Sequence, residues 1–149
     1  MRGKGFFDGL CEPVNPGGIA TFGYVMVTEL GKEQGFGLAA EPWTSDSTNN
    51  VAEYTGLICL LKRMLSLGVT EVEIFGDSQL VIRQLRGEYK VKSSRIEPLY
   101  TEARRLLEHF RSVKVEWIPR EKNEEADSMT RKAYELAKRG ELTKVGCQS

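Results

Sequence analysis

The chain has 149 residues, 40% of them hydrophobic and 28% charged, which suits one soluble domain with one sizeable core. Lys plus Arg equals Asp plus Glu at 21 each, so the bulk charge argues against strong non-specific binding to nucleic acid, although local patches can still bind. No apolar run reaches the roughly eighteen residues of a membrane span, and the opening residues lack the apolar stretch of a signal peptide, so no membrane contact and a cytoplasmic location are expected.

Residues 4–10 read as a short strand with Asp8 inside it. Carboxylates are rare in strands and costly when buried unpaired. Asp8 is therefore either a strand-end turn residue before Gly9 or a group with a task. Residues 11–18 form a turn-rich loop that carries Asn15. Residues 19–28 are rich in β-branched and aromatic side chains, residues 30–32 turn, and residues 33–40 make a weaker strand. Together they predict an antiparallel meander of three strands.

A helix follows from about Asn50 to Leu67, apolar at positions 51, 54, 58, 61 and 65, with Gly68 as its stop. Asn50 suits its N-cap, and Glu53 three residues on completes a capping box. Yet Ser47, Thr48, Asn49 and Asn50 are more than one cap needs, and a polar helix start can also hold phosphate. Residues 69–75 alternate as a strand, which places Asp77 at the strand's end and at the N-cap of the next helix. A polar, basic connection over 87–94 leads to a helix from about Ile96 to Phe110 and a strand over 113–118. After the loop Pro119–Lys122, Asn123 is expected to cap a last helix over about 124–139. Asp127 lies near its start, where an i,i+4 pair with Arg131 would account for it.

Strands four and five follow helices, so they should run parallel to strand one, and right-handed crossovers place both on its free side. Asp8 and Asp77 then become neighbours, and the first turns of two helices add Glu53 and Asp127. Four carboxylates suit hard divalent cations such as Mg²⁺, which take oxygen ligands and substrate phosphates. Two such ions can activate water on one side of a phosphorus and stabilise the leaving oxygen on the other. The lone His109 sits in a helix of mixed character, and a Ser-His-Asp or Cys-His mechanism has little support. Cys11, Cys59 and Cys147 lack Cys-x-x-Cys spacing, which argues against zinc.

These residues carry a resemblance. Phe7-Asp8-Gly9 with Asn15-Pro16-Gly17, Thr48-Asn49-Asn50-Val51-Ala52-Glu53, Gly76-Asp77-Ser78-Gln79 and Asn123-Glu124-Glu125-Ala126-Asp127, in that order, resemble ribonuclease H of type 1. The resemblance covers essentially the whole chain. It implies an α/β ribonuclease H-like fold, a five-stranded mixed sheet of order 3-2-1-4-5 flanked by helices. It makes Asp8, Glu53, Asp77 and Asp127 the catalytic, metal-binding acids and implies two Mg²⁺ ions per site with substrate, with Mn²⁺ as a substitute. The implied reaction hydrolyses the RNA strand of an RNA–DNA hybrid, leaving 5′-phosphate and 3′-hydroxyl ends. Asn15, Thr48, Asn49, Asn50 and Gln79 match hybrid-binding positions, Asn49 and Gln79 toward the RNA and the other three toward DNA phosphate. Amides suit 2′-hydroxyl and base-edge contacts, which tell RNA from DNA. The alternatives are a non-catalytic nucleic-acid-binding module and a nuclease for another substrate on the same fold.

The sequence departs from the family pattern in three places. The loop before the last helix, Pro119–Lys122, has no His, so Arg120 and Glu121 are the residues available there. The segment after the Asp77 helix lacks a long basic protrusion, and Lys90, Lys92 and Arg95 offer a smaller patch. No separate hybrid-binding domain is expected before Met1, which leaves room for weak or broad binding, including cleavage of double-stranded RNA. A monomer is expected. Residues 1–140 form the catalytic domain, and 141–149 a tail that Gly140 divides from the last helix. Leu142, Val145 and Cys147 suit docking of that tail on the domain, with a Cys59–Cys147 disulfide; three reduced cysteines are the alternative.

Overall fold

Two hydrophobic periods share the chain: one builds a sheet and the other the helices that cover it. The computed structural model describes residues 1–148. Period-two stretches form β1 (Arg2–Glu12), β2 (Ile19–Thr28), β3 (Gly31–Leu38), β4 (Glu71–Gly76) and β5 (Ser112–Trp117). Helical stretches form α1 (Asn49–Ser66), α2 (Gln79–Leu85), α3 (Glu97–Leu107) and α4 (Glu124–Lys138), with a short 3₁₀ turn at Arg120–Lys122. The five strands form one sheet of order β3-β2-β1-β4-β5. β2 pairs antiparallel with β1 and β3, whereas β4 runs parallel to β1 and to β5. The predicted fold class and strand order are what the structure has.

Helices cover both faces of the sheet, unequally. α1 lies between the sheet and α3, so it is buried on more than the one stripe its sequence suggests. Tyr54, Leu57, Leu60, Leu61 and Met64 are all fully buried, while the expected face residue Leu65 is only partly covered. α4 packs on the opposite face, across β2 and β3. Under it Ile19, Leu38, Ala133 and Leu142 form a second, smaller core.

β1 runs beyond the predicted span at both ends: Arg2 and Gly3 pair with Glu71 and Val72 of β4, and the ladder with β2 continues to Glu12 opposite Ile19. The start of α1 differs from the capping box expected of Asn50 and Glu53. Thr48 is the N-cap, its hydroxyl accepting the Val51 N–H at 3.0 Å. Glu53 is thereby moved beyond the first turn. Ser78 likewise caps α2 in place of Asp77, accepting the Val81 N–H at 3.2 Å. Asn123 precedes α4 without a side-chain capping bond. Three expected caps are therefore released for other partners.

The tail returns from the α4 face to the α1 face around the β3 edge. Leu142 is buried in the smaller core, Val145 bridges Leu38, and the Gly146 N–H donates to the Leu38 carbonyl at 2.8 Å. Beyond it Cys147 is joined to Cys59 of α1 by a disulfide, with Cα atoms 5.4 Å apart. Cys11 is free and buried, its thiol donating to the Val14 and Ser47 carbonyls.

Candidate active site

Two close approaches bring the acids together. Gly9, beside Asp8, lets α1 pass so near that a Cβ there would strike the Glu53 nitrogen and Ala52. Gly23, opposite Asp8 in the β1–β2 ladder, does the same for α4: a Cβ would lie 2.5 Å from the Ala126 carbonyl oxygen and 2.7 Å from the Thr130 nitrogen. Asp77 follows β4, whose Gly76 is paired with Phe7. One carboxylate oxygen each from Asp8, Glu53 and Asp77 can be chosen so that all lie within 4.8 Å of one another. Asp127 lines the same cleft, about 410 Å³ in volume, but lies outside that group of three, its Oδ2 3.3 Å from the Arg131 guanidinium. The i,i+4 pair and a place at the site therefore coexist.

The cluster carries unbalanced negative charge in a poorly hydrated place. Asp8 is 6% exposed and Glu53 2%. Burial, and then the Asp77 charge, push the Asp8 carboxyl up to about 7, against the pull of the Gly9 N–H that donates to it at 2.9 Å. Burial and the Asp8 and Asp77 charges push Glu53 well above the usual carboxylate range. Burial also raises Asp77, opposed by a hydrogen bond from Asn123 and by the Arg120 charge. Glu53 Oε2 is buried and has no hydrogen-bond partner. An orphaned buried carboxylate oxygen beside two others is the donor set a hard divalent cation requires. Asp8, Glu53 and Asp77 would hold the ion, with Asp127 at the rim.

The predicted hybrid-binding residues fall into two groups. Asn15, Thr48, Asn49 and Asn50 meet at the start of α1, where Asn15 Oδ1 accepts the Asn49 N–H at 3.0 Å. Asn49 itself lines the acid cleft, and Thr48 is occupied as the cap. Gln79 opens α2, exposed, its Oε1 3.5 Å from Arg83. In the loop without His, Arg120 lines the cleft while Glu121 does not.

Two site residues escaped the sequence. Asn123, 2% exposed, donates through Nδ2 to the Phe7 carbonyl at 2.9 Å and to Asp77 Oδ2 at 3.2 Å, tying β1, Asp77 and the start of α4 together. Its position just before a helix made it look like a cap. Trp117 donates its indole N–H to the Asp77 carbonyl at 3.0 Å, a contact between β5 and the end of β4 that no local pattern announces.

A family model described as reverse transcriptase-like matches residues 6–133. The ribonuclease HI of Halobacterium salinarum is 35% identical over 138 residues, 91% of this chain and 66% of that protein. Its crystal structure, an RNase H1, superposes with a TM-score of 0.80 at 31% identity, covering 91% of this chain and 98% of that one. The chain belongs to the type 1 ribonuclease H family. A second family relative, a bifunctional protein of Mycobacterium tuberculosis, is 38% identical over 115 residues, 68% of this chain. The chain spans about a third of the length of that protein and of its other mycobacterial matches, 32% in each case. A third, LC11-RNase H1, solved in complex with an RNA/DNA hybrid, has a TM-score of 0.78 at 30% identity, covering 91% of this chain and 98% of that one.

Proposed function

We propose that this chain is a divalent-metal-dependent endonuclease that hydrolyses the RNA strand of RNA–DNA hybrids, leaving 5′-phosphate and 3′-hydroxyl ends. The observation that carries the reading is the group of Asp8, Glu53 and Asp77, with oxygens within 4.8 Å, in a cleft that Asn49 and Asp127 also line. Family membership and the hybrid complex of LC11-RNase H1 support it. Two Mg²⁺ ions, with Mn²⁺ as a substitute, would supply an activated water and charge stabilisation at the leaving oxygen. The chain's own part is to hold carboxylates in place before substrate arrives. Asn123 fixes Asp77 against β1, the Gly9 N–H fixes Asp8, and the packed helix α1 fixes Glu53. Asn49 and Gln79, amides on two helix starts near the acids, are the proposed readers of the RNA 2′-hydroxyls.

A cleavage panel tests this reading: hybrid, duplex RNA, duplex DNA and single strands, each with Mg²⁺, Mn²⁺ or EDTA. The hybrid should be cut in its RNA strand only, EDTA should stop the reaction, and duplex RNA should be cut more slowly. Equal cutting of duplex DNA and hybrid would move the assignment to another nuclease of the same fold. No cutting of any substrate would leave a binding module.

A further inference from the structure

The loop over 39–48, between β3 and α1, holds a side chain the fold does not explain. Trp43 has φ +66° and is the one non-glycine residue in the left-handed region among those described. A bulky side chain there is strained. Packing does not offset the strain, because Trp43 is 63% exposed. Backbone bonds hold the loop: the Trp43 N–H donates to the Gly18 carbonyl at 2.9 Å, and the Gly17 N–H donates to the Ser47 carbonyl at 2.8 Å. The Ser47 hydroxyl donates to the same Gly18 carbonyl at 2.6 Å. The loop it grips is the one that supplies Asn15 to the Asn49 N–H, and Asn49 lines the acid cleft. Val14, on that loop, is 54% exposed and adds apolar surface to it. The exposed indole and the acid cleft thus belong to one hydrogen-bonded platform.

We propose that Trp43 is a substrate-binding residue that packs its ring against a nucleotide of the RNA–DNA hybrid outside the acid cluster, on the side of the Asn15 loop. The inference rests on the hybrid-cleaving reading above. Charge balance favours it. With 21 basic and 21 acidic residues the chain has little bulk charge for counterion release, the usual source of nucleic-acid affinity. An aromatic ring adds affinity without reading sequence: the base faces of a paired hybrid are covered by their neighbours, but every nucleotide presents an apolar sugar face on which a ring can pack. Trp43 is six residues from Asn49, at most about 20 Å of extended chain, or roughly six base-pair rises. The contact therefore falls within about six base pairs of Asn49 on that side, and a hybrid that ends beside Asn49 lacks it.

The test compares wild type with Trp43→Ala, Trp43→Phe and Trp43→Gly on a long hybrid and on one trimmed on the Asn15 side to end beside Asn49. Trp43→Ala should raise KM on the long hybrid roughly five- to tenfold, with kcat within about twofold, and should match wild type on the trimmed one. Trp43→Phe should keep most of the affinity. Trp43→Gly should share the KM defect yet melt above wild type, because glycine accepts φ +66°. A purely structural residue would not separate the two readouts in that way. In an Asp8→Asn background with Mg²⁺, where the hybrid stays intact, indole emission should change on titration, and most of that change should vanish with Trp43→Ala, leaving Trp117. An unchanged KM in Trp43→Ala, an unchanged emission response, or self-association that depends on Trp43 would overturn the proposal. A wild type that cuts hybrid while Trp43→Ala behaves identically sinks this inference alone. A wild type that neither binds nor cuts hybrid sinks the function reading with it.

Discussion

Helix α1 serves two regions of opposite design. At its first turns Glu53 enters a group of carboxylates that are buried, mutually repelling and incompletely bonded. Midway along it Cys59 fastens a tail held at three points: Leu142 in a core, Gly146 bonded to Leu38, Cys147 in a disulfide. Uncompensated buried charge weakens a fold, whereas covalent and apolar closure strengthens it. The difference separates stability from function along a single helix, and changes at each region should move one property and spare the other.

The largest effect should come from the acids. Asp8→Asn or Asp77→Asn should reduce hybrid cleavage on the order of a thousandfold or more, since each removes a charged ligand on which charge stabilisation in the transition state depends. The metal-free Asp8→Asn protein should meanwhile melt above wild type, because one member of a repelling group is gone. Cleavage assays with Mg²⁺ and melting curves in EDTA read the two properties separately. Near-normal cleavage by either variant would remove the acids from the mechanism, and a lower melting temperature for Asp8→Asn would erase the contrast between the regions.

The tail should give the converse result. Deleting residues 141–149, or replacing Cys59 with Ala, opens a loop of 88 residues. The chain-entropy model assigns such a closure up to about 4–5 kcal/mol, although measured gains are often smaller. At about 2–4 °C per kcal/mol, a fall in melting temperature of roughly 10 °C is expected, with cleavage at moderate temperature intact. Thiol titration under denaturing, non-reducing conditions should count one free thiol, that of Cys11. Three would show the bridge absent in solution and transfer its share of stability to Leu142 and the Leu38 bridge.

The same two regions show what a sequence exposes. Alternation and helical period were enough for the five strands and four helices, because both follow from which face is buried, whereas the strand order rested on right-handed crossovers and on the family resemblance. The carboxylates stood out because acids inside or just after strands are costly and need a reason. Legibility failed at the helix starts. Asn50, Asp77 and Asn123 all have cap chemistry, and a local pattern cannot tell a capping side chain from one spent on a distant strand. Thr48 and Ser78 took two of the caps, while Asn123 turned to Phe7 and Asp77, 116 and 46 residues away. The single apolar face read in α1 misled in another way: it understated burial, because a helix packed between a sheet and α3 has two inner faces.

Acid should act on the site and hardly on the tail. The Asp8 carboxyl is raised from 3.8 to about 7 in the fold, so the folded protein binds the proton more tightly than the unfolded chain. The resulting stability is fully present below about pH 4 and is lost as pH rises through about 7. Metal-free melting temperature should therefore fall by several degrees between about pH 5 and 8, with other groups held constant by comparison with Asp8→Asn. Glu53, raised for the same reason, acts in the same direction. Mg²⁺ at pH 8 should restore part of the loss by binding the ionised carboxylates. An Asp8→Asn profile as steep as wild type would locate the titrating group elsewhere.

The smallest effect belongs to the amides at the rim, which neither strain the fold nor close it. The Asn49 backbone N–H is held by Asn15, and Thr48 makes the cap, so the Asn49 side chain can be removed without unwinding α1. The Gln79 contact with Arg83 is long at 3.5 Å, and Ser78 caps α2 independently. Asn49→Ala and Gln79→Ala should therefore leave the melting temperature within about a degree, as surface changes usually do. Each lost hydrogen bond to the RNA is worth roughly 0.5–1.5 kcal/mol, about two- to tenfold in KM for hybrid. Two amides reading separate nucleotides should combine additively, so the double variant should show the product of the single effects. Thr48→Ala is the control, because it should cost about 1 kcal/mol of stability through the cap. A double variant with unchanged KM on hybrid would show that 2′-hydroxyl reading lies elsewhere, with the backbone N–H groups at the two helix starts the next groups to examine.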